Sequence, residues 1–385
     1  MRAARGSFQI GSFRGIPIRV HFSLLIVLPV LAFLFGGAFR RAAEVAEVPS
    51  ERLSGSPALW GLAVAVGLFA SVFVHELAHT VYALRRGGTV RSITLMMVGG
   101  VSELTEAPPR PRDEALMAAV GPLTSILLAV LLGGATWLLQ EAGSFNLRFA
   151  LFYMASLNLF LGVFNLLPAF PMDGGRIVRA SLTGRLGAVR ATQVASVMGR
   201  AFAVLFGVWA VLSLNPFLAI IAVFIFMGAQ GEAQQVRMKA TLERVPVADL
   251  MTPRRVGVGA AASLEETLWE LRRERLLLLP VTEGDRPVGQ VALEVVRSVP
   301  DAERMTRTAR EVMQRAVVVR LDEDGWVALR RMAEEEVPQL IVVEPDGTLA
   351  GTLDVNDVQR GMTLYQAREE RRGQRAPRWR QERPA

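Results

Sequence analysis

Residues 74–80 read VHELAHT, inside an apolar run that spans 58–84. That run is long enough to cross ~30 Å of hydrocarbon at about 1.5 Å per residue. A glutamate and two histidines are costly there, so they mark a functional site by default. On a helix, His75 and His79 are four residues apart and present their imidazoles to the same side, with Glu76 beside the first. This H-E-x-x-H spacing suits zinc. Two neutral imidazoles serve as ligands, and a carboxylate stands ready to take a proton from water on the metal. The competing explanation is a structural polar cluster that packs spans together.

Working outward, five more apolar stretches are expected to span, at about 20–38, 115–139, 147–168, 191–214 and 216–230, the last being the shortest. Composition agrees. Of 385 residues, 51% are hydrophobic and 21% charged, with a mean hydropathy of +0.32, which excludes a disordered chain. The absence of cysteine excludes a disulfide scaffold, thiolate zinc sites, iron–sulfur clusters and a cysteine nucleophile. The net charge of +7 is almost all arginine, Lys239 being the only lysine. In so apolar a chain this charge reads as cytoplasmic loops and tails, not as nucleic-acid binding. No signal-peptide cleavage site is evident, so the first segment is expected to be a retained helix. Arg2, Arg5, Arg14 and Arg19 precede it, Arg85, Arg86 and Arg91 follow the second, and Arg176, Arg179, Arg185 and Arg190 follow the fourth. The positive-inside rule then gives a multi-pass cell-membrane protein with both termini in the cytoplasm.

A zinc hydrolase site usually takes three protein ligands and leaves a position for water. The third is expected from NLLPAFPMDGG, residues 165–175, where prolines and glycines unwind the chain and let Asp173 reach sideways. His21, at the membrane entry, is the weaker option. Asn165 either steadies a peptide carbonyl or caps the carbonyls freed by the broken helix. Asn158 is expected to hydrogen-bond between helices, and Gly121-Pro122 to permit close packing or a kink. Residues 88–104 have two readings: a re-entrant β-hairpin against a wet cavity, or a cytoplasmic loop with an amphipathic strand.

Composition changes at 230–244, and beyond it a 62-residue repeat aligns Leu250-Met251 with Val312-Met313 and Val281 with Val343. Each copy is expected to hold a short strand, an amphipathic helix and two strands split by a turn. Ser263 and Glu266 form a capping box before the first of these helices. Residues 366–385 read as an arginine-rich, disordered tail.

Taken together, GIPIRVHFS, HELAH, GGVSE, VGPLTS and NLLPAFPMDGG resemble the site-2 protease family of intramembrane zinc metalloproteases over the first 230 residues. The resemblance implies one zinc per chain held by His75, His79 and Asp173, with Glu76 as catalytic base. It also implies that Asn165 and the Gly99–Glu103 segment, Gly99 and Gly100 included, position a substrate that is itself a transmembrane helix. The second half resembles a pair of CBS domains opened by VADLMTP, residues 247–253. In its second copy, GTLDVND places Asp357 at the family's ribose-binding position, but Asp354 replaces the usual hydroxyl residue. The first copy carries Ala292 and Val295 at the matching places. The module therefore either binds an adenine nucleotide at Asp357 or serves to dimerise or gate. The expected fold is an α-helical polytopic membrane domain of about six spans, with a membrane-associated β-hairpin, followed by an α/β cytoplasmic CBS pair. Its expected boundaries are 1–230 for the membrane domain, 231–245 for a linker, 246–303 and 304–365 for the two CBS domains, and 366–385 for the tail. Expected partners are a transmembrane protein substrate, the lipid bilayer, an adenine nucleotide and a second copy of the chain. The rival functions are a CBS-regulated transporter or channel, and a catalytically silent helix-binding relative.

Overall fold

A computed structural model describes residues 6–375, apart from 50–54, 98, 107, 109, 140–143 and 254–255. The expected tail beyond residue 375 lies outside the described residues. The chain forms two compact units, Met1–Val236 and Arg237–Ala385.

The first unit opens with a β-hairpin, β1 (Ser7–Phe13) and β2 (Ile16–His21). Arg14 and Gly15 form its two-residue loop, with φ of 51° and 84°. Positive φ at both positions matches the tight turn that suits the twist of paired strands. Helices α1 (Phe22–Val45) and α2 (Pro57–Arg85) follow, then strands β3 (Thr89–Met96) and β4 (Gly99–Glu106). Next come α3 (Pro111–Leu138), α4 (Phe145–Asn165), α5 (Asp173–Leu186), α6 (Ala188–Leu212) and α7 (Pro216–Leu242). All of these helices except α5 are long and apolar enough to cross a membrane, and they match the six expected stretches. The sixth runs further than expected, because the polar stretch after 230 is rich in strong helix formers and nothing in it breaks the helix. Large side chains such as Phe33, Trp137 and Leu212 face outward, as lipid-facing positions should.

Residues 88–104 do form a hairpin, but it is not alone. The strands order as β1-β2-β3-β4, with β2 and β3 parallel through Ile18↔Ile93 and Val20↔Leu95. The N-terminal hairpin thus completes a four-stranded sheet that sequence alone did not suggest. Val20, Leu24, Phe69, Val72 and Leu95 bury together and fasten this sheet to α1 and α2. Open backbone edges are not tolerated against lipid, so strand β4, at the sheet's end, must face protein or water.

The second unit holds α8 (Val247–Leu250), β5 (Val258–Gly259), α9 (Leu264–Arg273), β6 (Leu278–Glu283), β7 (Arg286–Ala292), α10 (Leu293–Ser298) and α11 (Asp301–Arg304). It continues with α12 (Ala309–Val312), β8 (Val318–Arg320), α13 (Gly325–Glu334), β9 (Gln339–Val343), β10 (Leu349–Asp354) and α14 (Val355–Arg375). The repeat yields two three-stranded sheets, β5-β6-β7 and β8-β9-β10, and the capping box of Ser263 and Glu266 is present. The two cores do not follow the repeat boundaries. Val247 and Leu250 of α8 are buried with Val319, Leu340 and Leu353 of the second copy. Ala309 of α12 is buried with Leu268, Val281 and Val291 of the first. Each copy lends its opening helix to the other's core. Helix α14 reaches ten residues into the stretch expected to be disordered, whose Gln, Ala, Arg and Glu residues are good helix formers with no proline before 377.

Candidate metal centre

Helix α2 begins with Pro57 behind the N-cap Ser56, and continues without a break through VHELAHT. His75 and His79 are buried on one face, about 15 Å and about 9 Å from the Arg85 end at 1.5 Å per residue. The chain after α4 then folds back on itself. Gly174 and Gly175 permit the return: a Cβ on Gly174 would lie 2.1 Å from the Leu167 carbonyl oxygen, and one on Gly175 would lie 2.5 Å from the Phe170 nitrogen. The return makes Asp173 the first residue of α5, so it sits in a helical first turn and not in the unwound stretch that sequence suggested. Arg179 of α5 holds this turn in place by pairing with Glu114 of α3 and covering the Phe170 ring.

Three ligand atoms converge. Asp173 Oδ2 lies 3.2 Å from His75 Nε2 and 3.1 Å from His79 Nε2, and the two nitrogens are 3.1 Å apart. Four arms of about 2.0–2.1 Å in a tetrahedron leave ligand atoms roughly 3.3 Å apart, so the triangle has the size zinc requires.

Proton accounting points the same way. His79 Nδ1 is 2.6 Å from the Met117 carbonyl oxygen, which can only accept, so this nitrogen carries a proton, and in the neutral imidazole Nε2 then offers a lone pair. His75 Nδ1 pairs with Ser125 Oγ at 2.9 Å. With His79 neutral, its Nε2 and the carboxylate of Asp173 point acceptors at each other beside a second imidazole. Buried acceptors facing one another are costly unless a proton or a cation lies between them. A metal ion satisfies all three at once, and Nδ1 held by a carbonyl or hydroxyl is the usual second support of a metal-binding imidazole.

Space for the ion comes from α3. A Cβ on Gly121 would lie 2.1 Å from His79 Nε2 and 2.8 Å from His75 Nε2. Met117, Gly121 and Ser125 are four residues apart in succession, so one face of α3 serves both histidines. Sequence reading missed this role and assigned Gly121 to packing. The available signal was the small residue at Gly121 and the hydroxyl at Ser125, since a backbone acceptor such as Met117 leaves no trace in the residue type.

The other expected residues take these places. Glu76 is half-buried, and its Oε2 accepts from the Ser102 amide at 3.1 Å and the Ser102 hydroxyl at 2.8 Å. Gly100 lies against it: a Cβ there would come 2.4 Å from Glu76 Cγ. Gly99 starts β4 with φ of 134°. Asn165 donates Nδ2 to Leu161 O within its own helix, at 2.9 Å. Asn158 bridges helices, donating to Ser71 Oγ at 3.0 Å. His21 is the N-cap of α1, accepting from the Ser23 amide, and is not one of the clustered ligands. In the second unit, Asp357 is buried, and its carboxylate accepts from the Thr252 hydroxyl at 2.8 Å, the Asp354 amide at 3.0 Å and the Arg360 guanidinium.

The sequence matches peptidase family M50 over residues 63–146 and 139–206, and the CBS domain over 309–363. A zinc metalloprotease of Methanocaldococcus jannaschii is 30% identical over 366 residues, covering 94% of this chain and 98% of that protein. Rip3 of Mycobacterium tuberculosis is 30% identical over 379 residues, 94% of each chain. Among solved structures, the site-2 protease from Methanocaldococcus jannaschii covers 59% of this chain and 95% of its own length at 29% identity, with a TM-score of 0.44. Identity sustained over nearly the whole chain, with the M50 match spanning both the histidine pair and Asp173, makes this protein a member of peptidase family M50 that also carries a CBS domain.

Proposed function

We propose that His75, His79 and Asp173 hold zinc, that Glu76 is the general base, and that the chain hydrolyses peptide bonds in or near transmembrane segments of membrane-anchored proteins. The observation that carries this reading is the convergence of three ligand atoms at 3.1–3.2 Å, with Nδ1 of His79 held by the Met117 carbonyl so that Nε2 faces Asp173. Zinc there supplies a Lewis acid that brings the pKa of water toward ~7 and polarises a carbonyl.

The protein's own groups do the rest. Glu76 accepts the proton of the attacking water and later gives it to the leaving amine. Met117 O and Ser125 fix the two imidazoles, so the ligand set is oriented before substrate arrives. A helical substrate hides its carbonyls and must be extended before attack. The edge of β4, beginning at Gly99 and Gly100 and paired with no further strand among the described residues, offers main-chain partners for an extended segment. Asn165 gives its Nδ2 to the end of α4, which leaves its Oδ1 to accept from a substrate amide.

By arginine placement both termini lie in the cytoplasm of a cell-membrane protein, and the metal site sits toward that face, where water can enter. The CBS pair acts as a regulatory or dimerising module, and adenine nucleotide is the ligand class to test on it. A family of peptidases, and a ligand cluster at one depth, favour this reading over a transporter.

The test is zinc content of detergent-purified full-length protein, prepared without chelator. About one zinc in wild type, lost in His75→Ala and in Asp173→Ala, is expected. Metal-free wild type, or full zinc in either variant, overturns the ligand assignment.

A further inference from the structure

Ser102 is tied to Glu76 by more than chance proximity. Its amide donates to Glu76 Oε2 at 3.1 Å, and its hydroxyl donates to the same oxygen at 2.8 Å. Having spent its proton there, the Ser102 hydroxyl accepts from the Thr80 hydroxyl, 3.1 Å away. Thr80 is buried and lies one helical turn beyond Glu76 on α2. A line of donors therefore runs from Thr80 through Ser102 to one oxygen of the carboxylate, and the other oxygen is left to act.

The same serine belongs to the sheet. It sits opposite Ile93 of β3, and its amide points away from β3 toward Glu76. Among the described residues β4 has no other strand beside it. The Ser102 amide is therefore one of the edge donors that an added strand would engage. Gly100, two residues earlier on the same edge, lets β4 press against the stem of Glu76, since any Cβ there would clash.

We propose that Ser102, backed by Thr80, is the positioning residue for Glu76, and that it couples the aim of this carboxylate to occupation of the β4 edge. An extended peptide that pairs with β4 takes the Ser102 amide, and Glu76 is then held by the hydroxyl alone and is free to turn toward the reacting water. The inference rests on Glu76 being the base.

The experiment uses the zinc-loaded full chain in lipid nanodiscs, with fluorescein-labelled casein as an unfolded polypeptide probe. Ser102→Ala is expected to lower kcat by about 10–100-fold, as loss of an orienting partner does, with KM and zinc content unchanged. Ser102→Thr, which keeps the hydroxyl and suits a strand, is expected to restore kcat. Thr80→Val is expected to lower it by less than Ser102→Ala. Wild-type kcat in Ser102→Ala, or a Ser102→Thr enzyme as slow as the alanine variant, overturns the proposal. Glu76→Gln run alongside separates the two failures. If that variant is dead while Ser102→Ala is unimpaired, only the role of Ser102 falls; if it still cleaves, the base assignment falls. A second arm needs no substrate. The Ser102 amide is expected to exchange slowly with deuterium in wild type and at open-edge rates in Glu76→Ala. Fast exchange in wild type removes the link between β4 and Glu76.

Discussion

Two aspartates occupy the same kind of position in the two halves of this protein. Asp173 stands in the first turn of α5, and Asp357 in the first turn of α14. Both carboxylates are largely buried, with side-chain exposures of 13% and 6%. Their partners differ in kind. Asp357 faces donors: a threonine hydroxyl, a backbone amide and a guanidinium. Asp173 faces two imidazole nitrogens, and His79 holds its Nδ1 against the Met117 carbonyl. A buried carboxylate with enough donors is complete within the fold. One that meets other acceptors requires a proton or a cation between them. The comparison teaches that burial and residue type do not mark a ligand site; the balance of donors and acceptors does.

The sharpest way to break this comparison is to make the same change on both sides. Asp173→Asn keeps the size of the side chain and removes its charge. Zinc affinity is expected to fall by more than the roughly 10–100-fold that loss of an outer partner costs, and cleavage is expected to vanish with it. Competition against a fluorescent chelator measures the affinity. An Asp173→Asn protein that binds zinc as wild type does would leave the acceptor balance without meaning.

Next in size is Glu76→Gln. The cluster is untouched, so the zinc content should equal that of wild type, while kcat drops by about 10²–10⁴-fold with loss of the base. Cleavage that persists would remove Glu76 from the chemistry and leave it as a contact for β4.

Gly121→Ala tests the room left by α3. Its Cβ would fall 2.1 Å from His79 Nε2, so an imidazole must shift or the helices must part. A loss of about 10–100-fold in zinc affinity is expected, with the helical circular dichroism of wild type. Unchanged affinity would show that the histidines yield without cost, and would return Gly121 to the packing role that its sequence neighbourhood first suggested.

How much of this was legible beforehand follows from which interactions residue identity encodes. The histidine pair announced itself because charge in an apolar run is expensive and because a spacing of four is a helical face. Asp173 was reachable because prolines and glycines break a span where a carboxylate stands, although its place inside a first turn was not. The role of Met117 was beyond reach, since the group that holds His79 is a carbonyl that every residue possesses. The N-terminal hairpin was missed for a different reason. The turn at Arg14-Gly15 is readable, but the parallel pairing of β2 with β3 joins segments about seventy residues apart, and no local pattern sets that register. The lending of α8 and α12 between the two CBS cores is likewise invisible in the repeat, because two copies with the same order of elements give no sign of which core each opening helix enters. Asn165 showed the limit of a polar residue near a site: its amide went to a carbonyl one turn back on its own helix.

The smallest effect is expected from Asp357→Asn, the counterpart of the first change. An amide there can still accept from Thr252, but it loses the charge that Arg360 faces, and one of its two ends becomes a donor where donors already point. The cost should be local, about 1–3 kcal/mol of stability in the second unit, read from chemical denaturation of the full chain followed by Trp269 and Trp326 fluorescence. Zinc content and casein cleavage should not move. Adenine nucleotide should bind this variant and the wild type alike, because a nucleotide ribose would have to displace Thr252 or Arg360 from a carboxylate they already satisfy. If instead ATP binds wild type and Asp357→Asn abolishes it, the carboxylate is available after all. In that case a complete set of internal donors does not disqualify a ligand site, and the contrast between the two aspartates would hold only for metal ions.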